Sequence, residues 1–264
     1  MPRRRLDVEL VRRGLANSRA EAQAAVEAGL VTVAGSPATK SGSFVAADVP
    51  VQVIGPTRRF VSRGGDKLSS ALERFGVDPR DRDCLDAGAS TGGFTDCLLQ
   101  GGAARVAAVD VGYGQLAWGL RNDRRVSVME RTNARSLEPT DLPFAPDLVV
   151  ADLSFISLRT VLPALVRSAR TDAEFLVLVK PQFEAGPADV ASGGVVRDPA
   201  VWRRVLGEVI EAFGSQGLGV QGVIVSPLRG PAGNVEFFLH GSRGVDDAPI
   251  DLDEAVSEGE GSPR

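Results

Sequence analysis

Lysine is rare in this chain, and its positions suggest a chemical role. Of the 30 lysine and arginine residues in 264, three are lysines, at positions 40, 67 and 180. Lys180 follows the apolar run 175–179, and Asp152 follows another apolar run at 148–151. Arginine stays charged in proteins, whereas a desolvated lysine can release its proton and act as a base. The sequence therefore predicts that Lys67 and Lys180, with Asp152, serve a reaction that arginine cannot serve.

A structural ion pair is the alternative interpretation of Asp152 and Lys180, because a charge at the end of a buried strand needs either a partner or a function. Other catalytic groups are poorly placed. Cys84 and Cys97 fall in a predicted core strand and helix, and the single histidine, His240, ends a predicted core strand. We therefore expect neither a cysteine nucleophile nor a histidine base.

A glycine-rich stretch at 83–95 reads Asp-Cys-Leu-Asp-Ala-Gly-Ala-Ser-Thr-Gly-Gly-Phe-Thr, which predicts a strand, a tight turn and the start of a helix. Gly88 can adopt the positive φ of such a turn, and Gly92 and Gly93 are expected to let a ligand approach the backbone. The next apolar run ends at Asp110, at about the 20-residue spacing at which a carboxylate binds ribose hydroxyls. An ordinary strand-to-helix turn is the alternative.

The turn lacks the glycine that accommodates a pyrophosphate in dinucleotide folds. It suits an adenosine without phosphates, and S-adenosylmethionine is the predicted cofactor. Asn133, just past the third strand, is a candidate for adenine recognition, or else an ordinary loop asparagine. The predicted cofactor-binding residues are Gly88, Ala89, Ser90, Thr91, Gly92, Gly93, Phe94, Asp110, Asn133, Asp152 and Phe155.

Methylation chemistries differ in the protein groups that they need. Transfer to a base carbon usually needs a cysteine nucleophile near the pocket, and neither cysteine is placed for it. Transfer to an exocyclic amine often uses an Asn/Asp-Pro-Pro-aromatic motif. Here Asp152 is followed by Leu-Ser-Phe, which does not match that motif. Transfer to a hydroxyl needs a base for a proton of high pKa. Lys180, with Asp152 and a second lysine beside it, fits that demand.

The elements that position these residues alternate between apolar runs and helical patterns. A helix is predicted at 66–75, strands begin near 83, 104, 126, 147, 175, 220 and 235, and a further helix covers 202–213. This pattern predicts an α/β fold with a mostly parallel sheet, and the close spacing of the last two strands indicates one antiparallel strand. The predicted fold is a Rossmann-like class I methyltransferase sheet with a small N-terminal α+β domain.

Charge is distributed unevenly along the chain. Residues 1–60 hold nine basic residues against five acidic ones, and residues 241–264 hold two against seven. Without aromatic residues beside it, the basic N-terminal segment is expected to contact RNA phosphates, and a solvated basic surface is the alternative. The RNA-binding candidates are Arg3, Arg4, Arg5, Arg12, Arg13, Arg19, Arg58 and Arg59.

These patterns predict an RNA-binding domain at 1–55, a linker at 56–64, a catalytic domain at 65–242 and an acidic, disordered tail at 243–264. Ser18 and Glu21 are predicted to form a capping box at the second helix. Two cysteines provide no metal cluster, and no metal is expected. Neither a signal peptide nor a membrane span is predicted, so we expect a cytoplasmic protein, monomeric in solution.

Two resemblances sharpen these predictions. Segments 6–15 and 26–33 resemble the alpha-L RNA-binding domain of ribosomal and RNA-modifying proteins. Five further segments resemble the TlyA family, bacterial ribosomal RNA 2′-O-methyltransferases that were once labelled haemolysins. These are Asp-Ala-Gly-Ala-Ser-Thr-Gly-Gly-Phe-Thr (86–95), Asp-Val-Gly-Tyr-Gly-Gln-Leu (110–116), Asp-Leu-Ser-Phe-Ile-Ser (152–157), Leu-Val-Lys-Pro-Gln-Phe (178–183) and Gly-Asn-Val-Glu-Phe-Phe (233–238).

The resemblance implies a catalytic part similar to FtsJ/RrmJ methyltransferases and their Lys-Asp-Lys-Glu tetrad, at Lys67, Asp152, Lys180 and Glu236. It also implies methylation of cytidine 2′-hydroxyls in small-subunit and, in many members, large-subunit rRNA, which sensitises ribosomes to capreomycin-type antibiotics. The linker differs from the family pattern, since Arg58-Arg59-Phe60-Val61 stands where mycobacterial members have Arg-Ala-Trp-Val.

The sequence thus favours S-adenosylmethionine-dependent 2′-O-methylation of ribosomal RNA, with Lys180 as the general base. The alternatives are a non-enzymatic RNA-binding or ribosome-assembly protein that keeps a cofactor fold, and a membrane-lytic protein. The second is disfavoured because the basic helix is too weakly apolar for strong insertion.

Overall fold

The computed structural model describes residues 3–16, 19–54 and 59–262. It contains a small N-terminal unit and a larger α/β unit. Ser18 of the predicted capping box and Arg58 of the predicted RNA-binding set lie outside the described residues.

The N-terminal unit packs two short helices against short strands. The helices are α1 (Leu6–Arg12) and α2 (Arg19–Glu27), and the strands are β1 (Arg3–Arg5), β2 (Val31–Val33), β3 (Ser36–Pro37), β4 (Phe44–Ala46) and β5 (Val51–Val53). β1 pairs with β4, and β2 lies between β3 and β5. The core is thin because α2 contributes only Ala22 and Val26 to it as fully buried side chains.

The larger unit is a sheet with helices on both faces. Its strands are β6 (Asp83–Ala87), β7 (Arg105–Val109), β8 (Val126–Met129), β9 (Leu148–Ala151), β10 (Glu174–Val179), β11 (Leu218–Val225) and β12 (Phe237–Arg243). Its helices are α3 (Arg63–Phe75), α4 (Gly93–Gln100), α5 (Trp118–Arg121), α6 (Leu158–Ser168), α7 (Pro181–Glu184), α8 (Pro199–Ser215) and α9 (Leu252–Gly261), with 3₁₀ turns at Ala134–Ser136, Pro139–Asp141 and Pro187–Asp189.

The strand order is β11-β12-β10-β9-β6-β7-β8, and β12 is antiparallel to both of its neighbours. The other neighbouring pairs are parallel. The predicted mostly parallel α/β sheet with one antiparallel strand is confirmed. The chain runs outward from β6 towards β7 and later fills the other side with β9 and β10, so the topological switch point lies between β6 and β9. Open α/β sheets bind ligands at the carboxyl ends of strands at such a point.

Alternate side chains of β6 face different helical layers, as expected for a strand buried on both faces. Leu85 and Ala87 belong to the core that includes α6 and α8, whereas Cys84 belongs to the core that includes α3 and α4. Asp86 shares the face of Cys84 and reaches α4, where Thr95 hydrogen-bonds to it. A carboxylate therefore lies inside an otherwise apolar layer.

Two predicted element boundaries need correction. α3 begins at Arg63, three residues before the predicted start, so Lys67 lies in the second helical turn rather than at the helix terminus. β12 begins at Phe237, after Glu236, because the preceding loop is held by its own hydrogen bonds, including that from the Gly230 amide to the Asn234 carbonyl at 2.9 Å.

The prediction of a disordered tail over 243–264 is wrong for the part of that segment that the structure describes. α9 begins after Asp251, whose side chain accepts hydrogen bonds from the amides of Asp253 and Glu254. Ala255 and Val256 are buried. The acidic composition concealed this helix, although an aspartate at the N-cap and acids in the first turn stabilise a helix start.

Candidate active site

A cleft of about 300 Å³ opens at the carboxyl ends of β6, β9 and β10, at the switch point of the sheet. The start of α3, the turn after β6 and the loop before β12 complete its walls. All four predicted catalytic residues line it, namely Lys67, Asp152, Lys180 and Glu236. A larger cavity of about 490 Å³ lies beside the loop 229–233, but none of these four residues lines it. The smaller cleft is therefore the candidate site.

Lys180 directly follows β10 and projects its amine into the cleft, with its side chain 10 % exposed. Its Nζ lies 2.6 Å from Oδ1 of Asp152, which directly follows the neighbouring strand β9. The same Nζ donates a hydrogen bond of 3.0 Å to Oγ of Ser154. The ring of Phe183 lies 5.9 Å from Nζ, at cation–π distance. Lys180 is thus held by two polar partners and one aromatic face.

Lys67 forms the second ion pair of the cleft. Its Nζ donates to Oε2 of Glu236 at 2.5 Å, and both residues are buried. The other carboxylate oxygen of Glu236, Oε1, is buried and accepts no hydrogen bond from the part of the chain that the structure describes. Because an unsatisfied buried oxygen costs free energy, Oε1 is available to accept a hydrogen bond from a bound molecule.

The glycines of the turn after β6 also serve protein packing, and the approach of a ligand to the backbone at Gly92 and Gly93 stays a prediction. A Cβ on Gly88 would lie 2.5 Å from the carbonyl oxygen of Asp152, one on Gly92 would lie 2.3 Å from Leu120, and one on Gly93 would lie 2.2 Å from Oγ of Ser62. Gly88 and Gly92 also have φ values of 90° and 98°. Glycine thus lets the turn pack against β9, α5 and the start of α3.

Six of the seven turn residues predicted to bind the cofactor line the cleft, and Gly92 does not. They are Gly88, Ala89, Ser90, Thr91, Gly93 and Phe94.

Asp110 ties the turn to the next strand. Its carboxylate accepts hydrogen bonds from the amides of Ser90 at 2.8 Å and Gly112 at 2.6 Å. It also lines a small hollow that shares Ala89 and Ser90 with the cleft. Asp110 therefore lies where a bound nucleoside could reach it, but both carboxylate oxygens already hold the backbone.

Asn133 and Phe155 do not line the cleft. The exposed Asn133 uses its side-chain oxygen to accept the Arg135 amide at 3.0 Å. Phe155 is 91 % exposed and packs against Phe183, with ring centroids 5.3 Å apart. Neither side chain touches the space in which a cofactor would sit, and their predicted cofactor contacts remain predictions.

The cleft and the hollow have a lining of the kind that binds a small molecule. The hollow next to Asp110 has apolar walls from Ala108, Leu116 and Val128, and polar groups from Gln115 and Glu130 at its edge. It shares Ala89 and Ser90 with the cleft, which extends past the turn to the two lysines. Apolar walls with a few polar groups are typical of small-molecule sites. The hollow measures about 10 Å³, so it must open before an adenine can enter, whereas the cleft of about 300 Å³ already has room beside Lys180.

Comparison with known proteins identifies the family. The FtsJ-like methyltransferase model matches residues 60–243, and the S4 domain model matches residues 4–49. The chain is 52 % identical to the 16S/23S rRNA (cytidine-2′-O)-methyltransferase TlyA of Mycobacterium tuberculosis, over 97 % of this chain and 98 % of that protein. This chain belongs to the TlyA family of FtsJ-like methyltransferases.

Two further similarities carry the older name of the family. Hemolysin A of Brachyspira hyodysenteriae is 37 % identical over 89 % of this chain and 98 % of that protein. A solved structure from Streptococcus thermophilus, which has hemolysin in its name, is 39 % identical, with a TM-score of 0.75 over 99 % of this chain and 97 % of that chain. The methyltransferase fold and the N-terminal RNA-binding type of domain are both confirmed.

Sequence reasoning missed several residues of the site. Ser154 contacts Lys180, Ser62 and Arg63 line the cleft at the start of α3, and Gln115 and Glu130 line the hollow. Ser154 lies two positions after Asp152, and Ser62 lies directly before the helix that carries Lys67. Proximity to residues already selected was the signal that could have identified these two.

Asp86 is a second missed feature, since it is completely buried beneath the turn. Burial raises the pKa of its carboxyl to about 7, and the hydrogen bond that Thr95 Oγ1 donates at 2.6 Å opposes that shift. Its Oδ1 has no partner among the residues that the structure describes. An aspartate inside the apolar strand 83–87 was visible in the sequence.

The arginines of the N-terminal unit surround two buried carboxylates. Asp7 accepts hydrogen bonds from Arg5 and Arg19, and Glu9 accepts them from Arg12 and Arg13. These bonds hold the pKa of both carboxyls below their usual range, to about 2 for Glu9, for which the Arg12 bond is the largest cause.

The predicted RNA-binding arginines therefore fall into two groups, one that is mostly buried and bonded to the protein and one that is exposed to solvent. Arg13 is structural, because its side chain is 19 % exposed and it also donates to the carbonyls of Val49 at 2.7 Å and Ala47 at 2.9 Å. Arg5, Arg12 and Arg19 are 44–58 % exposed and keep their outer faces open. The other predicted arginines that the structure describes, all exposed, are Arg3, Arg4 and Arg59.

The remaining reactive side chains lie outside the cleft. Burial raises the pKa of the thiols of Cys84 and Cys97 to about 12, so neither is a ready nucleophile. His240 packs its ring 5.2 Å from that of Phe75 and lies 3.8 Å from Glu174. Among the described residues, no group of three or more His, Cys, Asp or Glu side chains could hold a metal ion.

Proposed function

We propose that this protein methylates the 2′-hydroxyl of a cytidine ribose in ribosomal RNA, with S-adenosylmethionine as the methyl donor. The observation that carries the proposal is the pair of lysine–carboxylate contacts, Lys180 with Asp152 and Lys67 with Glu236, in a single cleft beside the glycine-rich turn. This arrangement supplies a base and positioning groups for a hydroxyl. It contains no cysteine for attack on a base carbon.

The cofactor would lie along the turn 88–94, with its adenosine against Asp110, Gln115 and Glu130, where the small hollow would have to open to admit it. When bound, S-adenosylmethionine supplies an electrophilic methyl group on a sulfonium. The turn would place that group beside the amine of Lys180, because both line the same cleft.

Lys180 is the proposed general base. In its neutral form its amine accepts the 2′-hydroxyl proton as the ribose oxygen attacks the methyl carbon. The cofactor would supply the methyl group and keep the bonding electron pair on its sulfur, so the proton is the one group that the protein would have to take up. Asp152 orients the amine and stabilises the ammonium that forms. General-base catalysis of this type contributes about 10²–10⁴-fold.

Lys67 and Glu236 are proposed to position the ribose. The unpartnered Oε1 of Glu236 can accept a hydrogen bond from a ribose hydroxyl, while Oε2 remains fixed by Lys67. Holding two reactants in line can lower the barrier by roughly 7–11 kcal/mol, so positioning supplies a large share of the rate. This mechanism needs no metal.

Ribosomal RNA is the proposed substrate for two reasons. The Mycobacterium tuberculosis relative is named for 16S and 23S rRNA, and an S4 domain model matches residues 4–49. The exposed arginines of the N-terminal unit, with Arg59 and Arg63 near the cleft, could contact RNA phosphates. Such a substrate would place the protein in the cytoplasm, where we expect it to act as a monomer.

The test uses purified protein, S-adenosylmethionine labelled in the methyl group, and small and large ribosomal subunits isolated from cells that lack the enzyme. We expect label in a cytidine of one or both subunits, located by nuclease digestion and mass spectrometry. Absence of label from both subunits, from free rRNA and from assembly intermediates would overturn the proposal. Cofactor binding without turnover would instead support the ribosome-assembly alternative.

The hemolysin names among the relatives raise the membrane-lytic alternative. Within the described residues, no helix has the length and apolarity needed to cross a membrane. Release of dye from lipid vesicles by the purified protein, at the concentrations used for methylation, tests this alternative directly. We expect no release.

A further inference from the structure

Ser154 has no assigned role, yet it is one of two polar groups that touch the amine of Lys180. It follows Asp152 by two positions in the segment between β9 and α6, and it lines the cleft. Its Oγ accepts the hydrogen bond from Lys180 Nζ at 3.0 Å. We propose that Ser154 is a positioning residue that aims the lone pair of Lys180 at the substrate hydroxyl. The inference rests on the proposed function of the cleft.

The geometry of a neutral amine explains why a second polar partner matters. Such an amine has two N–H groups and one lone pair, arranged tetrahedrally about nitrogen with the bond to carbon. Ser154 Oγ accepts a hydrogen bond from Nζ at 3.0 Å, and Asp152 Oδ1 forms an ion pair with Nζ at 2.6 Å. When Ser154 takes one N–H group and the carboxylate of Asp152 attracts the other, the lone pair must occupy the remaining direction. With Asp152 alone, rotation about the last carbon–nitrogen bond would leave the lone pair in more than one orientation.

The contrast with Lys67 supports this assignment. Within the part of the chain that the structure describes, the Nζ of Lys67 has one polar side-chain partner, Glu236 at 2.5 Å. A single acceptor fixes the position of an amine but not its rotation. The cleft therefore holds one lysine whose orientation is specified and one whose position alone is specified, as expected for a base and a positioning group.

The local backbone indicates that Ser154 is placed for this contact. The next residue, Phe155, has a φ of 63°, a left-handed conformation that costs of order 1–3 kcal/mol in a residue with a large side chain. Ser154 makes no other hydrogen bond within the described residues, and it is exposed to the cleft. Its hydroxyl contributes little to the fold, so its loss should leave the protein folded.

The first test compares Ser154→Thr with Ser154→Val, which have the same shape and differ in one hydroxyl. We expect Ser154→Val and Ser154→Ala to lower kcat about 10-fold or more with little change in KM for rRNA, since a poorly oriented base loses part of its 10²–10⁴-fold contribution. Ser154→Thr should retain most of the activity. Ser215→Ala, which removes an exposed hydroxyl at the end of α8, is the matched control and should match the wild type.

The proposal is overturned if Ser154→Ala or Ser154→Val keeps the wild-type kcat, or if Ser154→Thr is as impaired as Ser154→Val. In the first case the hydroxyl is not needed, and in the second it is not the feature that matters. A rise in KM with unchanged kcat would assign Ser154 to substrate binding and would equally exclude the positioning role.

A second readout does not depend on activity. The chain has three lysines, so selective ¹⁵N labelling of the lysine Nζ yields three side-chain signals. A hydrogen bond to the terminal nitrogen slows its rotation about the carbon–nitrogen bond, and ¹⁵N relaxation measures that rotation. We expect the Lys180 Nζ group to rotate faster in Ser154→Ala than in the wild type, with Lys67 unchanged as the internal control. Unchanged Lys180 signals would contradict the contact, whereas absent rRNA methylation by the wild type would contradict only the proposed function.

Discussion

The candidate active-site cleft and the N-terminal unit both place carboxylates beside basic groups, but they combine them differently. In the cleft, each lysine meets one carboxylate, and all four residues line the same open space. In the N-terminal unit, Asp7 and Glu9 are each surrounded by two or three arginines, most of which reach into solvent. Lysine therefore lies where the proposed reaction exchanges a proton, and arginine lies where a charge must be kept.

The comparison extends to the direction in which the environment shifts carboxyl pKa values. Arginines lower the pKa of Asp7 and Glu9, because the charged form receives several hydrogen bonds. Beneath the turn after β6, burial raises the pKa of Asp86, whose carboxyl accepts a side-chain hydrogen bond from the hydroxyl of Thr95. The N-terminal carboxylates stabilise their unit as anions, whereas Asp86 is most stable when protonated.

The largest expected effect separates the two lysines. Lys180→Arg keeps the positive charge but removes the proton acceptor, so we expect at least a 100-fold loss of kcat, on the order of the base contribution. Lys67→Arg keeps a cation beside Glu236 and should cost only about 10-fold. Rates of methyl transfer to rRNA, with cofactor affinity measured by calorimetry, check this. Equal losses in the two variants, or an active Lys180→Arg, would remove the distinction between base and positioning lysine.

The next effect concerns stability against pH at Asp86. Its folded pKa of about 7 lies above the ordinary 3.8, so its contribution to stability is fully present below about pH 4 and is lost as pH rises through 7. We expect urea unfolding between pH 5 and 8 to show a decline of a few kcal/mol in the wild type. Asp86→Asn, which cannot ionise, should show a shallower decline. If the free energy of unfolding declined equally with pH in the two proteins, the raised pKa of Asp86 would be refuted.

Glu9 should behave in the opposite sense. Its folded pKa of about 2 lies below the ordinary 4.5, so its contribution is present above about pH 4.5 and is lost as pH falls towards 2. We expect acid unfolding of the N-terminal unit to begin at higher pH in Glu9→Gln than in the wild type. Circular dichroism at pH 2–6 measures this, and coincident acid transitions would contradict it.

The smallest expected effects sort the arginines into structural and RNA-binding groups. Arg13→Gln removes a partner of buried Glu9 and bonds to two backbone carbonyls, so it should cost about 1–3 kcal/mol of stability. Arg3 is exposed, and its side chain makes no hydrogen bond or ion pair with the described residues. Arg3→Gln should therefore leave stability unchanged and reduce the salt dependence of rRNA binding by about one unit of slope. A loss of stability in Arg3→Gln would show that the exposure of a side chain does not separate structural from RNA-binding arginines in this unit.

The sequence sufficed for the features that local pattern determines. The apolar runs that end in Asp152 and Lys180 predicted adjacent strand ends, and the structure places the two side chains 2.6 Å apart. The strand, turn and helix around Gly88 were also predicted from the apolar and glycine pattern, and the structure contains all three. Glu236 entered only through resemblance to a family, because it precedes its strand and no spacing rule connects it with Lys67.

Features that depend on tertiary packing could not be predicted. Nothing in the sequence shows that Gly93 accommodates Ser62, or that Arg13 reaches the carbonyl of Val49 from 36 positions away. The helix α9 was not predicted because its sequence is rich in acidic residues and contains few apolar residues. Its buried side chains, Ala255 and Val256, are too few to give a clear helical pattern. Ser154 was not predicted because a single serine in a loop has no recognisable pattern, and its contact with Lys180 is visible only in the folded chain.

The most direct test of the central claim is the chemical position of the transferred methyl group. Methylation of a ribose 2′-oxygen removes the nucleophile that cleaves the adjacent phosphodiester in alkali, whereas methylation of a base does not. We predict that rRNA labelled by the wild-type protein gives, after alkaline hydrolysis, labelled dinucleotides whose first residue is cytidine. Label recovered in single nucleotides would place the methyl on a base and would contradict the assignment of Lys180 as the base for a ribose hydroxyl.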